Sequence, residues 1–234
     1  MTATYAQRLA RIVGFLVLVS VFTGPFAEAY VPGRLLATSD PGATAHNVAA
    51  QAMLFRWSYV AYLCEAMSDV AIALIFYFLL RPVDHVLSLL AAGFGLVSMI
   101  SFTSAELFYF ASAIPVIDTD VAAALSKESK AAFTYLALTV YEYGGSIFMA
   151  FYGIATAIRG LLIFRARYFP SWLGAILVAA GASFIVKNVV TVLTPRYDTP
   201  FLLAPTIVAM VVLGVWLIAK GVDTTNWRNA KSDC

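Results

Sequence analysis

Six long apolar stretches run along the chain, separated by short polar or proline-containing breaks. A helix that crosses a bilayer needs ~20 mostly apolar residues. The stretches therefore predict spanning helices over 8–31, 57–80, 84–114, 131–164, 170–194 and 200–221. Pro25, directly after Gly24, predicts a kink in the first. Arg81-Pro82 ends the second, Pro115 ends the third, Phe169-Pro170 separates the fourth and fifth, and Pro195 to Pro200 makes a tight turn before the sixth. The fourth stretch exceeds what a bilayer requires, so one end should project or bend. Residues 32–56 form the longest connection. Within it Thr44 is read as the cap of a short interfacial helix running to Phe55, with His46, Gln51 and Arg56 near the interface. The predicted fold class is all-α: a polytopic six-helix membrane bundle, one transmembrane domain over 1–234, with a short outer interfacial helix.

Composition agrees with that reading. The chain is 62% hydrophobic and 12% charged, with mean hydropathy +0.85. A soluble domain is about half apolar and about a quarter charged. The net charge of +2 gives no reason to expect a nucleic-acid partner. Cys64 lies inside an apolar stretch and Cys234 is the last residue, a spacing that suggests neither a disulfide framework nor a metal knot. Arg8, Arg11 and the small-residue pattern Ala27-Glu28-Ala29 have the outline of a cleavable signal. The apolar run over 12–30 is longer than such a signal needs, so a retained helix is expected.

Basic residues set the expected orientation. With the N-terminus inside, nine fall on the cytoplasmic side: Arg8, Arg11, Arg81, Arg159, Arg165, Arg167, Lys220, Arg228 and Lys231. Five fall opposite: Arg34, Arg56, Lys127, Lys130 and Arg196. Both termini are thus expected in the cytoplasm of a cell-membrane protein.

The charges inside the apolar stretches carry the functional signal. Glu65, Asp69, Glu106, Glu142 and Lys187 sit well inside four of the six. A charge at bilayer depth costs at least ~2.5–3.5 kcal/mol, so it is rarely idle. Ser58, Tyr62, Glu65 and Asp69 share one helical face, as do Tyr135, Thr139, Glu142 and Ser146, and Ser183, Lys187, Thr191 and Thr194. Such faces should point at each other and outline a polar cavity open to the outer side. Glu65 and Asp69, one turn apart, are expected to share a proton, and Lys187 to pair with Glu142 or Glu106. No metal is expected, because no His accompanies these carboxylates. Gly144-Gly145 should let helices approach closely.

Two stretches resemble a known family. One is Asp69 followed by an apolar run ending Tyr77-Phe78-Leu79-Leu80-Arg81-Pro82-Val83. The other is Phe151-Tyr152-Gly153, then Gly160-Leu161-Leu162-Ile163-Phe164-Arg165, then Tyr168-Phe169-Pro170-Ser171-Trp172-Leu173-Gly174, with Ala180-Gly181 after it. These resemble the bacterial DUF4386 family of multipass membrane proteins. The resemblance spans roughly Arg8 to Val222 and implies the membrane fold and a role for Asp69. It implies no reaction, and the His that the family often carries near Tyr152 has no counterpart in this chain.

Three functions fit the pattern. The first is an intramembrane acid–base enzyme acting on a hydrophobic isoprenoid or lipid. Asp69 or Glu65 would be its acid, and Glu142 or Glu106 its base or cation stabiliser. The second is a small-molecule or proton-coupled transport or binding protein. The third is an accessory membrane subunit whose buried charges fix helix packing. The expected binding residues are Lys187, Tyr62, Tyr143, Asn188, Arg56 and Phe102. No cofactor is expected. The expected partners are membrane lipids and a hydrophobic small molecule, with no oligomeric state implied.

Overall fold

A computed structural model describes residues 2–37 and 40–232. Cys234 lies outside the described residues. The elements are all helical: α1 (Ala3–Gly24), a π-helical stretch Pro25–Tyr30, α2 (Val31–Leu35), α3 (Pro41–Ala50), α4 (Ala52–Leu80), α5 (His85–Ala111), α6 (Ile114–Ile117), α7 (Thr119–Ala124) and α8 (Lys127–Arg165). Then come α9 (Ser171–Leu193), the 3₁₀ turns Pro195–Tyr197 and Pro200–Leu203, α10 (Ala204–Ala219) and α11 (Thr224–Ser232). Six segments among the described residues are long and apolar enough to cross a membrane: Ala3–Leu35, Ala52–Leu80, His85–Ile117, Lys127–Arg165, Ser171–Leu193 and Pro200–Ala219. The protein is an all-α multipass membrane protein.

Local chemistry explains where elements depart from expectation. Pro25 does not simply kink the first helix. It opens a π-helical turn, and the helix resumes as α2. The interfacial helix α3 is capped by Asp40, whose side chain accepts from the Ala43 amide at 2.9 Å, and not by Thr44. Thr44 turns back instead, exchanging hydrogen bonds with the amide and carbonyl of Ala37. Pro115 lies in the first turn of α6, where a missing amide costs nothing. Asp118 starts α7 by accepting from the amides of Asp120 and Val121.

The chain forms two compact units. Unit 1 comprises Met1–Val21, Met67–Ile100 and Ser146–Cys234, and unit 2 comprises Phe22–Ala66 and Ser101–Gly145. In unit 1 the apolar core includes Val13, Ile72, Phe76, Leu79, Leu162, Leu177 and Leu213. There α8 and α9 touch through glycines. A Cβ on Gly174 would come within 2.3 Å of the Phe164 amide, and one on Gly160 within 2.6 Å of the Val178 amide. Small residues let apolar helices gain contact area where lipid offers no hydrophobic drive. Only half of the expected Gly144-Gly145 contact forms, within unit 2: Gly144 closes on Ala105, while Gly145 meets nothing within 4 Å.

Unit 2 is held by aromatic rings and by hydroxyls bonded to backbone. Tyr62 packs against Phe102, Tyr109 and Phe110, with ring centroids 5.6–5.9 Å apart. The Thr134 hydroxyl donates to the Ser112 carbonyl at 2.9 Å.

Candidate functional site

Asp69 lies on the α4 face that also carries Ile72 and Phe76, and it is 5% exposed. On α8, Tyr152, Thr156 and Arg159 are spaced +4 and +3, which puts them on one face. With Ser20 of α1 these side chains line a single cavity in unit 1, closed by Leu177 of α9 and Met210 and Leu213 of α10. The cavity offers about 30 Å³ of room for water centres. One water needs roughly 10–15 Å³ of such room, so about two or three fit.

The polar groups of this cavity are incompletely used by the protein. Ser20 and Tyr152 hydrogen-bond the Asp69 carboxylate, and Arg159 attracts it without forming a direct ion pair. Asp69 Oδ1, Thr156 Oγ1 and Arg159 Nε are buried with no hydrogen-bond partner among the described residues. The guanidinium is placed by shape. Its carbon lies 6.0 Å from the centre of the Phe76 ring, and Nη2 is 2.4 Å from where a Gly95 Cβ would start. Any larger residue at 95 would displace it.

Arg159 corrects the sequence reading, which counted it among the cytoplasmic loop charges. It is 5% exposed and belongs to the α8 stripe. The +4, +3 spacing of Tyr152, Thr156 and Arg159 was the available signal. The nearby cluster Arg165 and Arg167 concealed it by making Arg159 look like loop charge.

A second group of acids lies in unit 2. Glu106 on α5 is 5% exposed, and neither of its oxygens has a hydrogen-bond partner among the described residues. Its electrostatic neighbours are Glu28, Tyr62, Tyr109 and Tyr141. The Tyr62 hydroxyl lies 2.9 Å from the Ala27 carbonyl, to which it donates, and 3.0 Å from the Tyr141 hydroxyl. Ala27 belongs to the π-helical turn, so the irregular backbone and the tyrosine network are one feature. Glu65 lies against Gly24, where a Cβ would come within 2.6 Å of Oε1. Glu65 falls in unit 2 and Asp69, one turn further along α4, in unit 1.

The other expected residues separate from these groups. Lys187 pairs with Asp198 and bonds Thr191, and not with Glu142 or Glu106. The reason is local: the Pro195–Tyr197 turn folds Asp198 back onto the last turns of α9, and Thr191 also donates to it at 3.0 Å. Glu142 is exposed, in a crevice of unit 2 of about 150 Å³ with Thr134, Tyr135 and Thr139. Tyr143 is 69% exposed, and Arg56 is exposed as well. Asn188 donates to the Ser146 carbonyl. Phe102 is buried against Tyr62. No group of three or more metal-ligating side chains occurs among the described residues.

The family described as "Domain of unknown function (DUF4386)" matches residues 12–221, most of the chain. The chain belongs to the DUF4386 family. An uncharacterized protein of Archaeoglobus fulgidus is 24% identical over 165 residues, which is 70% of this chain and 84% of that protein. No solved structure matches. In this DUF4386 protein the resemblance-bearing segments around Asp69 and around Tyr152–Gly160 supply the polar wall of the unit 1 cavity.

Proposed function

We propose that this DUF4386 protein handles protons inside the membrane, with Asp69 as its titrating group. The observation that carries the reading is the set of three buried polar atoms, Asp69 Oδ1, Thr156 Oγ1 and Arg159 Nε, on one cavity with room for water. Water there would be held by two to four polar partners and would join the carboxylate to its neighbours. Arg159 stays charged, so it favours the anion and returns the proton. Tyr152 and Ser20 hold the carboxylate in place. A room of about two or three waters suits protons and does not suit an isoprenoid at Asp69.

The test is reconstitution in liposomes containing a pH-sensitive dye. An imposed pH gradient should collapse faster with the native protein than in empty liposomes. Asp69→Asn, which keeps shape but not the proton, should return the rate to the empty-liposome value. Equal rates for native and variant protein would reject the reading.

The proposed orientation has both termini in the cytoplasm of a cell membrane, supported by the excess of Lys and Arg on that side. In a background lacking Cys64 and Cys234, Ser126→Cys and Thr225→Cys should label from opposite sides. Labelling from the same side would overturn the orientation.

A further inference from the structure

At one end of unit 1 three spanning segments stop together. Helix α8 ends at Arg165, α9 begins at Ser171, and α10 ends at Ala219. The ends are tied. Gly221, at φ 69°, takes the left-handed conformation that closes α10. Gln7 donates to the Lys220 carbonyl and accepts from the Val222 amide, both at 2.8 Å. Between these ends lies a pocket of about 380 Å³ whose lining includes Arg167, Phe169, Pro170, Trp216, Lys220 and Asp223.

We infer that this pocket binds a phosphate group, the natural source being the headgroup of an anionic lipid. Four features converge on an acceptor-rich anion. Arg167 and Lys220 are exposed cations on the lining. Asp223, the acid of the lining, is committed elsewhere: it caps α11, accepting from the Thr225 and Asn226 amides and the Asn226 side chain at 2.8–3.1 Å. The Trp216 indole N–H is buried with no hydrogen-bond partner among the described residues, and it can only donate. No side chain caps the N-terminus of the 23-residue helix α9, which starts at the pocket rim after Pro170, and such an end favours negative charge.

The position favours a lipid over a solute. Trp172 and Trp216 meet edge-on with centroids 5.5 Å apart, and Trp172 is half exposed. Tryptophans of this kind mark the headgroup level of a bilayer, and basic pockets between spanning helices take anionic headgroups. The Phe169 and Trp216 rings give the glycerol and first acyl carbons an apolar wall.

The test is native mass spectrometry of the full chain in detergent, titrated separately with phosphatidylglycerol, phosphatidylcholine and inorganic phosphate. Phosphatidylglycerol should bind in preference to phosphatidylcholine. Arg167→Ala with Lys220→Ala should weaken it roughly 30-fold, and Trp216→Phe about fivefold. Arg8→Ala with Arg11→Ala removes equal charge outside the pocket and should change nothing. Should the alanine pair fail to fold, Arg167→Gln with Lys220→Gln keeps side-chain length and carries the same expectation. Competition by inorganic phosphate with the same dependence on Arg167 and Lys220 would keep the phosphate site and make its source soluble. Equal binding of the two lipids without phosphate binding, or an equal loss in the Arg8 and Arg11 variant, would overturn the site.

Discussion

Both units of the protein bury an acid at 5% exposure, and they surround it in opposite ways. Unit 1 gives Asp69 two hydroxyl donors, a guanidinium and room for water. Unit 2 gives Glu106 another acid and three tyrosines as electrostatic neighbours, and no hydrogen bond to either oxygen among the described residues. A buried charge is tolerated when it is paired and hydrogen-bonded. The first environment is therefore organised around a charge, and the second around rings and hydroxyls that happen to enclose a carboxyl group. Two acids that look equivalent along the sequence differ in what their removal should do.

The largest effect should come from breaking unit 1's compensation. Arg159→Ala leaves Asp69 without its cation and should cost about 3–5 kcal/mol of stability, read as unfolding in mixed micelles. Glu106→Gln removes no hydrogen bond seen among the described residues and relieves repulsion from Glu28, so it should cost less than about 1 kcal/mol. Asp69→Asn combined with Arg159→Met should restore much of the loss, because a neutral pair of similar size needs no compensation. If Glu106→Gln proves the more damaging change, the contrast between the units fails.

A smaller effect sharpens the unit 2 side. If hydroxyl-to-backbone bonds organise that region, Tyr62→Phe should cost about 1–2 kcal/mol, since the Ala27 carbonyl and the Tyr141 hydroxyl each lose a partner. The ring contacts with Phe102 and Tyr109 would remain. Thermal melting in detergent reads the loss. An unchanged melting temperature would mean that the rings alone hold the π-helical turn in place.

The helices were legible because membrane spanning depends on length and apolarity, both of which are local. The Ser58–Tyr62–Glu65–Asp69 stripe was legible because its spacing is helical. The partners of the buried charges were not. Arg159 was hidden by the Arg165 and Arg167 cluster beside it. Asp198 was hidden because a proline-containing turn decides what lies over the end of α9. Glu142 shares the spacing of a buried stripe and yet is exposed, since spacing fixes which residues share a face but not what that face meets. Helix α11 was missed because its sequence is polar: Trp227, the buried residue among those described, is bonded to the Leu79 carbonyl.

The smallest effect calibrates the comparison with a charge pair that water reaches. Lys187 and Asp198 are 13% and 25% exposed. Partial burial raises the Asp198 pKa, but hydrogen bonds from Lys187, Thr191 and the Thr199 amide outweigh it and hold the carboxyl below its ordinary value. A carboxyl with a lowered folded-state pKa adds stability that is fully present above its unfolded value of about 3.9. That stability fades as pH falls through the lower folded value. The pair should thus contribute evenly between about pH 5 and 8, weaken below about pH 4 and be lost as pH falls through the lowered folded value. Being partly exposed, it should contribute less than about 1 kcal/mol. Asp198→Asn should lower the melting temperature slightly at pH 7 and by less at about pH 3, and high salt should shrink the pH 7 difference. A difference of the same size at both pH values would show that Asp198 acts through its hydrogen bonds to Thr191 and Thr199 and not through its charge.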